Sequence, residues 1–288
     1  MKKVLSILLA VVLLLGVVTT LAACGDKKSK VTVYKDYELT AESYAFAVAK
    51  ENTELKNAAN ELLAELKANG ELDKIINSFF DGTADFLYEN PVDAVPTGAD
   101  RANYLVVATN AYFPPFEYYE GDKLTGVDMK IASLLAAKLN KTLYINDMEF
   151  DSVITSVKNG ESDIGMAGMT VNEERKKAID FTTEYYESAQ VLIVREDDEV
   201  FADCKSADDV IAKLGEQNKE FKVGTQNGTT GYMFSAGDEG FGYDGFTNLT
   251  TNGYTTGALA VLDLANGKVD AVILDKQPAI MIAESTNK

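Results

Sequence analysis

From residue 104 to residue 275, short apolar runs alternate with amphipathic segments, and this alternation restricts the fold more than any other feature of the chain. YLVVAT (104–109), TLYIN (142–146), DIGMAG (163–168), AQVLIVR (189–195), FKVGTQ (221–226) and VDAVILD (269–275) read as strands. Residues 127–139, 150–159, 207–214 and 256–266 read as helices between them. Ile131, Leu134, Leu135 and Leu139 line the inner face of the first, and Gly160 and Gly267 act as stops. Strands and helices in alternation predict α/β layers with largely parallel sheets.

The front of the chain reads differently. VTVY (31–34) is a short strand, and SYAFAVA (43–49) is apolar enough to be buried on both faces. Leu55, Ala58, Ala59, Leu62, Leu63 and Leu66 fall on one helical stripe, which Asn69-Gly70 ends. Leu72, Ile75, Ile76, Phe79 and Phe80 repeat the pattern in a shorter helix. ELKANGELDKIINSFF (65–80) thus has the look of a protein's end, although it lies near the beginning. Residues 81–102, with Gly82, Pro91, Pro96 and Gly98, read as a linker.

What the chain lacks excludes whole classes of chemistry. Without His there is no Ser-His-Asp or Cys-His catalysis and no His-rich metal site. The two cysteines, Cys24 and Cys204, are too few for a disulfide framework. A net charge of −18 argues against nucleic acid and anionic membrane surfaces as partners. No metal or cofactor is expected.

Lys2 and Lys3 precede a nearly unbroken apolar run at 4–23, which reads as an export signal, although its length would also suit a membrane-spanning helix. The run ends in LAAC (21–24), which resembles the lipobox of bacterial lipoproteins. That resemblance implies cleavage before Cys24, a lipid on its sulfur, and an extracytoplasmic protein held to the membrane by that lipid. The competing reading is an uncleaved anchor helix. Loss of Lys2 and Lys3 takes the charge to about −20. Cys204 then has no partner in the chain and reads as structural.

ATNAYFPPFEYYEGDKLTGVDMKIA (108–132), DIGMAGMTVNEERKKAIDFTTEYY (163–186), VGTQNGTTG (223–231) and VDAVILD (269–275) resemble, in family order, the amino-acid-binding proteins of ABC importers, family 3 of the extracellular solute-binding proteins. The resemblance implies a two-lobed periplasmic-binding-protein fold. Each lobe is a mostly parallel sheet flanked by helices, and two strands form the hinge. In that family the strand like VDAVILD is followed by a helix and a second strand. The chain then returns to the first lobe with a strand like SYAFAV and a terminal helix pair. The chain given stops at Lys288, before these, and residues 31–80 resemble the missing parts. The expectation is a circularly permuted receptor. It would have a tether at 24–30, the second lobe at 31–42 and 196–288, and the first lobe at 43–80 and 103–195, with 81–102 joining old C-terminus to old N-terminus. Two alternatives are a fragment of a tandem pair and a segment-swapped dimer; the permuted reading expects a monomer.

The resemblance also supplies a site. Arg175 stands at the family's carboxylate-binding position, where a guanidinium grips a carboxylate through two hydrogen bonds. Thr170 adds a hydroxyl, and Gly168 a carbonyl for the ligand's ammonium. Thr229 and Thr230, in NGTTG, are expected at a helix N-terminus as the second clamp on the carboxylate. Asp275 is expected as the ammonium partner, and Phe113 and Phe150 as aromatic walls around the side chain. Asn110 stands where many relatives carry Asp. With Gln226 also uncharged, the ligand is expected to be a polar or neutral amino acid rather than lysine or arginine. The function implied is capture of a free amino acid for an ABC permease, without catalysis. The competing readings are a cyclohexadienyl dehydratase-like enzyme, which would need a general acid in the cleft, and a sensor module for a separate membrane partner.

Overall fold

The computed structural model describes residues 28–288. The expected export signal at 1–23 and the expected lipid site Cys24 lie outside the described residues. The chain opens with β1 (Val31–Val33), β2 (Glu42–Tyr44) and β3 (Ala47–Val48), followed by α1 (Thr53–Ala68) and α2 (Glu71–Phe80). Next come β4 (Tyr104–Thr109), a ribbon of β5 (Tyr112–Phe113), β6 (Glu117–Glu120) and β7 (Lys123–Thr125), then α3 (Val127–Lys138), β8 (Thr142–Asp147) and α4 (Phe150–Lys158). β9 (Ile164–Gly165), α5 (Glu173–Ala178), β10 (Asp180–Phe181), β11 (Tyr186–Ser188) and β12 (Gln190–Arg195) follow. The last part holds α6 (Ala207–Gly215), β13 (Lys222–Gln226), α7 (Thr230–Ala236), β14 (Thr250–Tyr254), α8 (Gly257–Ala265), β15 (Ala271–Asp275) and α9 (Lys276–Thr286).

Two five-stranded sheets organise two lobes, in the orders β10-β3-β9-β4-β8 and β1-β12-β15-β13-β14. In each, four strands point one way and one runs against them: β3 in the first sheet, β12 in the second. The long interior strands β4, β12 and β15 are buried along nearly their whole length, as helices on both faces require, so they show apolar runs rather than alternation. The reversed strands are those the chain enters from the other lobe. The chain crosses once through β2 into β3 and once through β11 into β12. β2 and β11 pair antiparallel, Tyr44 opposite Tyr186 and Glu42 opposite Ser188, as a two-stranded hinge.

Two sequence expectations need correction. AQVLIVR, assigned to the first lobe through residue 195, forms β12 between β1 and β15 of the second sheet. A run buried on both faces carries no mark of which sheet it joins, so the crossing falls at β11 instead. SYAFAVA is not one strand. It breaks at Ala45–Phe46, where the Ala45 N–H donates to the Met169 carbonyl and the Phe46 N–H to Thr182 Oγ1, so β2 belongs to the hinge and β3 to the first sheet. The helix expected beyond the chain's last strand is also present, as α9.

The front segment is built into both lobes. β1 forms the edge of the second sheet and β3 lies inside the first. Asn52 caps α1 by accepting from the Leu55 N–H, and Leu55, Ala59, Leu62, Leu63 and Leu66 enter one core with Ile131 and Leu135 of α3. Residues 81–102 are fastened to the first lobe: Tyr88 and Leu124 exchange two backbone hydrogen bonds, and Asn90 clasps both backbone groups of Ile145 at 2.8 Å. Among the described residues no helix is long and apolar enough to cross a membrane.

Candidate functional site

Strand ends and helix starts of both lobes meet at the cleft beside the hinge. There Asn110, Phe113, Phe150, Gly168, Thr170, Arg175, Gln226, Thr229, Thr230 and Asp275 surround one cavity, so all ten residues named from the sequence come together. The cavity measures about 10 Å³, room for one water molecule and far too small for an amino acid. A larger solute therefore requires the lobes to part. A wider groove of about 690 Å³ lies outside the hinge, but its charged lining is four glutamates and Lys276, which is already paired with Glu38 at 2.7 Å.

Arg175 comes from the short α5, whose first turn is fixed by Asn172 accepting the Arg175 N–H at 2.8 Å. Its guanidinium is buried. Nη1 donates to the Thr170 carbonyl at 2.6 Å and Nη2 to the Gly228 carbonyl of the other lobe at 3.0 Å. Burial lowers its pKa to about 10, so it remains a cation at neutral pH; Glu42, Asp275 and Tyr44 oppose that shift. Among the described residues no carboxylate forms an ion pair with it. A buried guanidinium with donors to spare is suited to an incoming anion.

On the second lobe, β13 delivers the chain to NGTTG and α7. Thr229 caps that helix through its backbone, while its hydroxyl donates to the Gln226 carbonyl at 2.8 Å. Thr230 Oγ1 is buried with no hydrogen-bond partner among the described residues, an unmet polar group on the cavity wall. Asp275 ends β15, 4% exposed, and accepts from the Tyr44 hydroxyl at 2.5 Å. Burial raises its pKa to about 7, and the charge of Glu42 adds to that rise.

Asn110 and Gln226 close the far end. Gln226 Nε2 donates to Asn110 Oδ1 at 2.9 Å across the lobes, Asn110 Nδ2 donates to the Met148 carbonyl at 2.8 Å, and Gln226 Oε1 accepts the Gly257 N–H at 3.1 Å. This wall is uncharged. Phe113 and Phe150 flank it. Gly168 lies in the left-handed region at φ 51°, its N–H donating to Asp128 Oδ2 at 3.0 Å, and a Cβ there would stand 2.7 Å from the Phe113 ring.

Several neighbours of these groups were not read from the sequence. Tyr44 links the hinge to Asp275, and Glu42 accepts from the Thr170 hydroxyl at 2.6 Å; both lie far from their partners in the chain. Gln190 stands opposite Asp275 in the β12–β15 register, its side-chain amide fully buried beside that carboxyl. Behind Gly168, Asp128 and Glu117 are both fully buried. Burial lifts Asp128 to about 7, against the hydrogen bonds from Tyr185 and Gly168. Burial and the neighbouring Asp128 lift Glu117 well above the usual carboxylate range. The acids in FEYYEGDKLTGVD gave a signal, but nothing in the pattern separates a buried acid from a solvated one. Among the described residues no acidic or cysteine cluster has the arrangement of a metal site.

The model of the bacterial extracellular solute-binding proteins, family 3, matches residues 105–272. A putative ABC transporter arginine-binding protein 2 of Escherichia coli K12 is 32% identical over 178 residues, 62% of this chain and 65% of that protein. The arginine-bound form of truncated ArgBP from T. maritima superposes with a TM-score of 0.54 at 30% identity, covering 65% of this chain and 80% of that one. The ancestral amino acid-binding protein AncCDT-1, a precursor of cyclohexadienyl dehydratase, gives a TM-score of 0.55 at 26% identity, covering 64% and 75%. The chain spans less than two thirds of the length of the curated relatives it matches.

Proposed function

The chain belongs to the bacterial extracellular solute-binding proteins, family 3, and from that membership and the chemistry of its cleft we propose that it is an extracytoplasmic receptor that closes on a free amino acid and delivers it to an ABC permease. One observation carries the reading. A buried guanidinium on one lobe, Arg175, and a buried carboxyl on the other, Asp275, line the same cavity. A free amino acid carries one group for each. The Thr170 and Thr229 hydroxyls already donate to Glu42 and the Gln226 carbonyl. The ligand's carboxylate is therefore received by Arg175, the backbone N–H of Thr170, and the start of α7 at Thr229 and Thr230 with the Thr230 hydroxyl, and its ammonium by Asp275 and the Gly168 carbonyl. Burying either charge alone is costly, and partners for both offset much of that cost. Because the two partners sit on different lobes, the ligand bridges them and favours closure about the β2–β11 hinge.

The Asn110–Gln226 wall favours a ligand with a neutral or polar side chain over lysine or arginine. Binding is favoured over a dehydratase-like activity because the acid on the cavity wall, Asp275, is the partner that the ligand's ammonium needs, while Asp128 and Glu117 are sequestered behind Gly168 and do not line the cavity. Circular permutation is supported by the places of β1, β3, α1 and α2, which occupy both lobes from a segment that precedes the family match at residue 105. The LAAC sequence supports a lipid anchor on Cys24.

A thermal-shift screen against the common amino acids tests the function, with Arg175→Ala beside the native protein. A ligand at one hundred times its Kd adds about 2.7 kcal/mol of stability. The expected result is a shift with one or a few amino acids that Arg175→Ala abolishes. A cooperatively melting protein that none of them shifts refutes the reading.

A further inference from the structure

The guanidinium of Arg175 is enclosed on two sides. The Phe150 ring of the first lobe lies 5.4 Å from its central carbon, and the Phe241 ring of the second lobe lies 5.5 Å from it. Both distances suit cation–π contact. Phe150 stands on the cavity wall, but Phe241 does not line the cavity and takes no part in the site described above.

Phe241 is presented by a loop with a rigid base. Gly237 and Gly245 approach so closely that a Cβ on Gly245 would stand 2.2 Å from the Gly237 nitrogen, and both have positive φ. Asp238 and Tyr243 exchange two backbone hydrogen bonds, and Asp238 Oδ1 accepts the Phe241 N–H at 3.2 Å. The tip then meets α5 of the other lobe, where a Cβ on Gly240 would stand 2.7 Å from Glu174 Oε2. The loop belongs to one lobe and its contacts at Phe241 and Gly240 to the other, so these contacts require the closed arrangement.

We infer that Phe241 is a positioning residue for the carboxylate clamp: in the closed state it completes a pair of aromatic rings against Arg175 and holds the guanidinium in place. Parting the lobes removes Phe241 from that cation while Phe150 stays. The retention of a bound amino acid then depends on a residue that never touches it. The ligand arm of the test rests on the proposed receptor function; the other arm does not.

Phe241→Ala, Phe241→Leu and Phe241→Tyr are compared with the native chain by hydrogen–deuterium exchange without any amino acid. Removing the ring is expected to speed exchange at residues 173–178 of the opposite lobe; Tyr restores protection and Leu does not. Faster exchange confined to residues 237–246 overturns the inference, because it reduces Phe241 to a local packing residue. Stopped-flow dissociation of the amino acid found by thermal shift supplies the second arm. A cation–π contact of this kind corresponds to a dissociation rate about 5- to 30-fold faster for Ala, near native for Tyr, with association little changed. Unchanged dissociation in Phe241→Leu also overturns it. If no amino acid binds the native protein, the receptor reading fails, and the exchange arm still decides the role of Phe241.

Discussion

Val31 and Asn287 exchange two hydrogen bonds across 256 positions of sequence: the Val31 N–H donates to Asn287 Oδ1 at 2.9 Å, and Asn287 Nδ2 donates to the Val31 carbonyl at 2.8 Å. The end of α9 thereby takes up both outward-facing backbone groups of the first residue of β1, an edge strand. Asn287→Ala removes both bonds and is expected to cost about 1–2 kcal/mol, seen as a lower urea midpoint with an unchanged slope. Exchange at residues 31–33 should rise in parallel. If those amides stay as protected as before, β12 alone holds the strand.

Arg175→Ala is expected to separate binding from stability. The side chain is buried and carries a full charge whose hydrogen-bonded partners are two carbonyls, so the fold gains little from it. Calorimetric affinity for the amino acid should fall by about 3 kcal/mol or more, since the ligand carboxylate would lose its buried partner. The melting temperature without ligand should be unchanged or higher. A large loss of stability would instead assign Arg175 to the fold.

How much of this was open to the sequence differs between residues. Every position on the cavity wall follows from the resemblance to the solute-binding family; the residue patterns alone show only that NGTTG and VILD end strands, where a cleft can form. The alternation of runs gave the layers. The sheet to which AQVLIVR belongs was not legible, since burial on both faces leaves no periodicity. Tyr44, Gln190 and Phe241 were not legible either. Their importance comes from contacts across 231 positions for Tyr44 and Asp275, across a strand register, and across the lobes. No local pattern encodes any of these. Phe241 lies in DEGFGYDG, where glycines signal a loop without revealing what it approaches.

Acid should weaken binding. Asp275 has a folded-state pKa of about 7, raised by burial and then by Glu42, and its ordinary value is near 3.8. Its contribution to the stability of the empty protein is present in full below about pH 4 and is lost as pH rises through about 7. Ligand binding has the opposite dependence, because an ammonium requires the carboxylate. Affinity is expected to drop as pH falls from 8 to 5, with proton release near pH 6–7 in calorimetry across buffers of different ionisation enthalpy. Affinity that is flat over this range would show that Asp275 is already ionised or does not meet the ammonium.

Gly168→Ala combines two penalties. Alanine at φ 51° costs about 1 kcal/mol, and its Cβ would press on the Phe113 ring from 2.7 Å. Phe113 must move, and it is part of the cavity wall. A fall in melting temperature together with at least tenfold weaker ligand binding is expected. A variant with native affinity would show that Phe113 has room to yield without disturbing the ligand.

The Asn110–Gln226 bridge sets the expected preference among ligands. A cationic side chain directed at this wall meets two amides already bonded to each other, to Met148 and to Gly257, with no carboxylate among them. A buried cation there would be only partly compensated. By calorimetry the native protein is expected to bind glutamine at least about tenfold more tightly than arginine, a difference of about 1.4 kcal/mol. Asn110→Asp supplies the missing charge and loses the donor to Met148, so affinity for arginine should rise about tenfold while the empty protein loses about 1 kcal/mol of stability. Stronger native binding of arginine than of any neutral amino acid would contradict the preference. It would mean that a carboxylate from outside the cavity wall, such as Asp147, which accepts the Ala111 N–H, reaches the side chain instead.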